Sequence, residues 1–238
     1  IEFNEMWGRD STTANAANSR CGARKLDNTP HVFNVNGTPV ELYFSPSDRT
    51  TSHINSTLAK AQSSINVGML TLTRSDIAAT MVSKKVAGVK VRGILDNGTD
   101  TGSQYTFLTT SGVDIRLKSN TPGLLHHKYG IVDAEVTTAT QYVITGSHNW
   151  TGAAETSNNE NTLIIQSNRI ANQYLQEFAA RYKEAGGGDN IVVGIENTGA
   201  QVPSSFSLSQ NYPNPFNPTT NFEFRIPDFS AEGGSASG

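Results

Sequence analysis

Two short stretches hold the residue types that phosphoryl transfer needs. The first is His126-His127-Lys128-Tyr129-Gly130-Ile131-Val132-Asp133. The second, downstream, is Gly146-Ser147-His148-Asn149, with Asn158-Asn159-Glu160-Asn161 beyond it. In an extended strand, positions i and i+2 share a face, so His126 and Lys128 project together while His127 points the other way. An imidazole beside a fixed positive charge can attack phosphorus while the charge stabilises the equatorial oxygens. Ser147 and Asn149 repeat that spacing and add two neutral hydrogen-bond donors on one face. Asp133 stands an odd number of positions from Lys128, on the opposite face, which suits a mainly structural part.

Flanking residues extend this reading. The run from Arg116 to Lys128 carries Arg116, Lys118, Lys128 and two histidines without an acidic residue. Because it leads into the first stretch, Arg116 and Lys118 are expected to form a phosphate-attracting rim. His148 is a candidate for substrate contact. Trp150 is expected to pack beneath the site, with stacking on a base as the alternative. His31 and His53 are expected at the surface. Asp96-Asn-Gly-Thr-Asp100 lacks the full ligand spacing of a calcium loop. It reads as a strand-to-helix turn at a strand end, where ligands of open α/β sheets collect.

The elements that must position these residues follow from periodicity. Strands are predicted at Val40–Phe44, Ser64–Leu72, Val89–Leu95, Val113–Leu117, Lys128–Val132, Tyr142–Thr145 and Thr162–Gln166. Helices are predicted at Thr51–Gln62, Asp76–Val86, Gln104–Ser111 and Asn168–Glu184, the last with Ile170, Tyr174, Leu175 and Phe178 at helical spacing. Strands alternating with helices imply an α/β fold with a mostly parallel central sheet flanked by helices.

His-x-Lys-(x)4-Asp followed by Gly-Ser-x-Asn resembles the phospholipase D superfamily over roughly Val40 to Lys183. The stretch from Thr145 to Asn161 resembles its single-motif bacterial endonuclease branch in the Gly-Ser-x-Asn, the Ala-Ala-Glu-Thr and the Glu-Asn, and Tyr43-Phe-Ser-Pro46 resembles that family's first strand. The resemblance implies that His126 is a nucleophile forming a phosphohistidine. It implies that Lys128 and Asn149 bind nonbridging oxygens with help from Ser147, and that Glu160 holds the imidazole. It also implies a metal-independent reaction with no cofactor, and an active site completed by a second copy of the domain in a homodimer, whose His126 protonates the leaving oxygen.

The chain has 238 residues and a net charge of −3. Global basicity is excluded, but a locally positive cleft for nucleic acid is not. No apolar run approaches the ~18 residues of a membrane-spanning helix, so no stable membrane insertion is expected. The single cysteine, Cys21, forms no internal disulfide and reads as a spectator thiol. Residues 1–38 read as an N-terminal arm with weak periodicity, 39–186 as the catalytic domain and 187–204 as a linker opened by Gly186-Gly187-Gly188. Residues 205–238 read as a partial sorting segment and tail. Glu2–Gly8 resembles Glu177–Lys183, as if the arm began with the end of a preceding domain copy. Tyr212-Pro-Asn-Pro-Phe-Asn-Pro218 resembles the sorting domain of type IX secretion cargo, which implies a secreted or cell-surface bacterial protein that meets secretion machinery. The leading expectation is a secreted endonuclease acting on DNA or RNA. Its rivals are a phospholipase acting on lipid head groups and a surface-binding module without catalysis, since fold alone never establishes activity.

Overall fold

The computed structural model describes residues 1–118, 123–191 and 193, and the backbone of two short strands at Ser207–Leu208 and Phe224–Arg225. It divides into two units, Ile1–Ile195 and Glu196–Gly238. In chain order, the first unit runs α1 (Glu2–Trp7), β1 (Val32–Val35), β2 (Thr38–Ser45), α2 (Thr50–Ala59), β3 (Ser64–Met69), α3 (Ser75–Val86) and β4 (Lys90–Leu95). It continues with α4 (Tyr105–Thr110), β5 (Asp114–Leu117), β6 (Lys128–Val132), β7 (Tyr142–Gly146), α5 (Gly152–Thr156), β8 (Glu160–Gln166) and α6 (Asn168–Glu184). In the second unit β9 (Ser207–Leu208) pairs antiparallel with β10 (Phe224–Arg225). The proline-rich stretch Tyr212–Pro218 lies outside the described residues.

The fold is α/β: one eight-stranded sheet in the order β1-β2-β8-β7-β6-β3-β4-β5, with helices on both faces. The sheet is mixed, however, and not mostly parallel. Only β3–β4 and β4–β5 run parallel, each pair joined through a helix, while the other five pairings are antiparallel. A parallel crossover needs a dozen or more residues. Residues 133–141 alone join β6 to β7 and form a hairpin connection.

Each face has its own core. On one, α2, α3 and α4 cover Ile65, Val67, Met69, Val91, Leu95, Val132, Ile144 and Ile164, with Trp150 among them. On the other, Ala171, Leu175, Phe178 and Tyr182 of α6 cover Ile94, Tyr129, Ile131 and Val143. Strand alternation assigns each residue its side.

The N-terminal segment is part of this domain. β1 forms an edge hairpin with β2 through Asn36 and Gly37, both at positive φ (52° and 86°), an Asn-Gly turn signal that the expected boundary at residue 39 overlooked. The Lys25 ammonium is buried, pairs with the Glu2 carboxylate and donates to the Ser45 carbonyl at 2.8 Å. The repeated Glu-Phe segments are both helical and stack alike: Phe3 on Trp7 at 5.5 Å, Phe178 on Tyr182 at 5.6 Å. Phe178 is fully buried, however, while Phe3 is exposed. His31 and His53 sandwich the Tyr43 ring at 4.8 and 3.7 Å and are only partly exposed.

At the other end, the glycine run does not open a linker directly. Gly187 N–H donates to the Tyr182 carbonyl at 2.8 Å, Arg92 Nε donates to Asp189 at 2.7 Å, and Ile191 is buried. The packed domain therefore continues past residue 187.

Candidate active site

Register brings the chemistry-bearing residues to one edge of the sheet. Lys128 opens β6 opposite Met69, the last residue of β3, and Gly146 closes β7 opposite Thr162 near the start of β8. The ends of β3, β4 and β7 and the beginnings of β6 and β8 thus meet at one rim. His126 is exposed there, two residues before Lys128 on the same face. The Lys128 ammonium lies 3.4 Å from His126 Nε2 and donates to the His126 carbonyl at 3.1 Å. Burial of the Lys128 ammonium lowers its pKa, and the Glu160 carboxylate offsets only part of that.

His127 turns to the other face. Its Nε2 is 3.1 Å from Glu177 Oε1 on α6, and Tyr129 donates its hydroxyl to Glu177 Oε2 at 2.5 Å. Burial would raise the Glu177 carboxyl, but these two partners and Arg181 hold it below the ordinary 4.5. Beside His126 and His127 lies a cleft of about 380 Å³ whose walls include Lys118, Leu125, Glu177 and Arg181. Lys118 reaches it and donates to the Gly123 carbonyl. Arg116 does not line the cleft: its Nε donates to Asp114 at 2.6 Å.

The second stretch is shaped by close backbone approach. Gly146 has φ 147°, and a Cβ there would run into the carbonyl oxygen of Asn161. That contact lets Ser147 and Asn161 bond reciprocally. Ser147 N–H donates to the Asn161 carbonyl, and Asn161 N–H donates to Ser147 Oγ, both at 3.1 Å. The exposed Ser147 hydroxyl keeps its own proton to donate. Asn149 follows, partly exposed, its carbonyl accepting from Thr151 N–H at 2.8 Å. Its Oδ1 has no partner among the described residues. Glu160 is partly exposed and accepts from Asn158 Nδ2 at 3.0 Å. Its negative charge is felt at Lys128, and its hydrogen bond to Asn158 is not the imidazole contact that the resemblance implies.

Three expected site residues lie apart. His148 is 2% exposed and its Nε2 is 3.5 Å from Glu155, which also accepts from the Thr51 amide at 2.9 Å and hydroxyl at 2.6 Å. Trp150 is 1% exposed, packed over Gly130 in the core. Neither offers a surface to substrate. Asp133, at φ 59°, sits at the far end of β6. Its carboxylate accepts the backbone N–H groups of Gln62, Ser63 and Ser64 and the Ser63 hydroxyl, at 2.7 to 3.0 Å. This ties the α2–β3 turn to β6 and makes Asp133 an anchor.

Residues not anticipated from the sequence are Asn161, Glu155 and Glu177, each defined by partners 14 or more positions away. Glu177 stood in a helical segment and in the Glu-Phe repeat, neither of which points to His127, and Asn161 and Glu155 lay inside a matched motif without a role. Among the described residues, no three His, Cys, Asp or Glu side chains converge closely enough to hold a metal ion, and no helix is long and apolar enough to cross a membrane.

This geometry can be set beside known proteins. Residues 54–182 match the family described as cardiolipin synthase, PLD-like domain. The mitochondrial cardiolipin hydrolase of Xenopus tropicalis is 36% identical over 129 residues, 53% of this chain, and the chain spans only 58% of that protein's length. A phospholipase D of Rickettsia conorii is 30% identical over 153 residues, covering 63% of this chain and 73% of that one. Nuc from Salmonella typhimurium, solved as a phospholipase D family member, superposes with a TM-score of 0.53 at 32% identity, over 61% of this chain and 94% of Nuc. With more than half its length matched and the same α/β architecture, this chain belongs to the PLD-like domain family of the phospholipase D superfamily.

Proposed function

We propose that this chain is a phosphodiesterase that cleaves nucleic-acid backbones by way of a covalent intermediate on His126. The observation that carries the reading is the Lys128 ammonium 3.4 Å from the exposed His126 imidazole. A ring nitrogen attacks phosphorus, a P–N bond forms, and the P–O bond to the leaving group breaks. Lys128, Asn149 and the Ser147 hydroxyl stabilise the nonbridging oxygens as charge builds on them. His126 of a second copy of the chain protonates the leaving oxygen, then takes a proton from water as that water breaks the P–N bond. One such motif per chain makes a symmetric dimer the complete catalytic unit. Lys128 supplies positive charge at phosphorus, the service a metal renders in other phosphodiesterases, so the reaction is expected to proceed in EDTA.

Nucleic acid is favoured over lipid by the stretch Thr145–Asn161, which resembles the endonuclease branch, and by a site that opens at an exposed rim accessible to a polymer. The second reading, a phospholipase, is favoured by Leu124, 68% exposed two residues before His126, and by relatives named phospholipase D and cardiolipin hydrolase. Plasmid nicking with EDTA present, run beside cardiolipin and phosphatidylcholine vesicles, separates them. Nicked plasmid with intact lipid supports the nuclease, and cleaved lipid with intact DNA and RNA defeats it. A His126→Ala variant with unchanged turnover would defeat the phosphohistidine route in both, and a folded wild type that cleaves neither substrate would leave a binding module. Export is proposed to use the sorting-domain-like segment, which places the enzyme outside the cell.

A further inference from the structure

We propose that Asp96 is a positioning residue for His126, acting through the backbone of Leu125; the inference rests on the phosphodiesterase reading above. Asp96 lies just beyond the end of β4 and is 9% exposed. Its Oδ1 accepts the Leu125 N–H at 2.7 Å, within the buried interior. Leu125 itself is buried and directly precedes His126. One residue further on, the His127 carbonyl accepts from Leu70 N–H at 2.7 Å, and the His127 ring meets Glu177.

His126 is thus exposed between two fixed neighbours. Among the described residues its side chain makes one hydrogen-bonding contact, to Lys128. Its ring can be aimed only through its backbone and that ammonium. On the β3 and α6 sides the segment is held by Leu70 and Glu177. On the β4 side Asp96 is the side chain that holds it. Asp96 also keeps its own place in the sheet, with its N–H donating to the Met69 carbonyl at 3.2 Å, so the restraint is anchored to the rigid strand ends. A nucleophile must lie in line with the bond it breaks. A misplacement of about 1 Å can cost on the order of 100-fold in rate, while substrate binding by Lys128 and Asn149 is untouched.

The test measures cleavage of bis(4-nitrophenyl) phosphate by the full chain and its variants, with amide exchange at Leu125 followed in parallel. Asp96→Ala is expected to lower kcat by about 10- to 100-fold with KM within about twofold, and to lose protection of the Leu125 amide. Asp96→Asn keeps an oxygen at the same reach and is expected to recover kcat to within about threefold of wild type, with protection restored. If Asp96→Ala does not fold, Asp96→Ser takes its place with the same expected loss, because its hydroxyl stops one bond short. Unchanged kcat in Asp96→Ala, or Asp96→Asn no better than it, overturns the inference while the wild type remains active. A folded wild type that cleaves no phosphodiester overturns the phosphodiesterase reading itself, and this inference with it.

Discussion

The ammonium of Lys128, the first residue of β6, stands 3.4 Å from Nε2 of His126 in the segment leading into that strand. Two residues of spacing set the direction, but the separation is set by the carbonyl of His126, which accepts from the same ammonium at 3.1 Å. This keeps Lys128 folded back over the imidazole, where both can face one phosphoryl group. The pair differs in the freedom of its members: the imidazole is exposed, whereas the ammonium is partly buried and pays for it in proton affinity.

Removal of the nucleophile is the first expectation. His126→Ala should reduce phosphodiester turnover by about 10³-fold or more. Because the side chain is exposed, its melting temperature should stay within about 2 °C of wild type. Thermal denaturation beside the plasmid assay checks both halves, and residual activity near wild type would remove His126 from the chemistry.

Alkaline pH tests Lys128. Its pKa is lowered by burial, so the charge that stabilises the phosphoryl oxygens is lost below the ordinary lysine value of 10.5. The alkaline limb of kcat/KM should therefore fall on the low side of 10.5. In Lys128→Arg, where the charge does not titrate in this range, that limb should shift upward or vanish. A limb that does not respond to this substitution belongs to another group.

Asp133 should behave as an anchor. Asp133→Ala strands three backbone donors at the α2–β3 turn, and about 3 kcal/mol or more of stability should be lost. The fraction still folded should retain kcat, since the carboxylate sits at the opposite end of β6 from the site. Urea denaturation paired with active-site titration distinguishes this from a direct part in catalysis.

Trp150 separates core packing from base stacking. Trp150→Ala should cost about 3–5 kcal/mol, while Trp150→Phe, which fills most of the volume, should keep KM for single-stranded and duplex DNA alike. A rise in KM without loss of stability would mean that the ring touches substrate after all.

Acid should destabilise the fold through Glu155 and Glu177. Burial raises both carboxyls, but hydrogen bonds and nearby charges from His148 and Thr51 in one case, and from His127, Tyr129 and Arg181 in the other, outweigh it. Both folded-state values lie below the unfolded 4.5, so the native state binds protons more weakly than the unfolded chain. Their stabilisation is complete above 4.5 and disappears as pH falls through the lowered values. Melting temperature scanned from pH 7 to pH 3 should drop across that window, and Glu155→Gln should shallow the drop.

By itself the sequence determined where most elements from β2 to α6 lie, α5 excepted, together with the α/β class and the shared face of His126 and Lys128, while α1 and β1 went unread. All of these are local: a strand period of two or a helical period of 3.6 is written in adjacent residues. It also identified Asp133 as off the reacting face. Strand direction is not written in alternation, which is identical in parallel and antiparallel pairing: the short β6–β7 connection requires one antiparallel pair, but the antiparallel β3–β6, β2–β8 and β7–β8 registers were decided by tertiary packing. Tertiary packing likewise sent His148 to Glu155 and Trp150 into the core, and brought Asp96 to Leu125 and Glu177 to His127. Those partners are separated by up to 50 residues in the chain, and no pattern of neighbours encodes a contact that exists only once β4, β6 and α6 have packed.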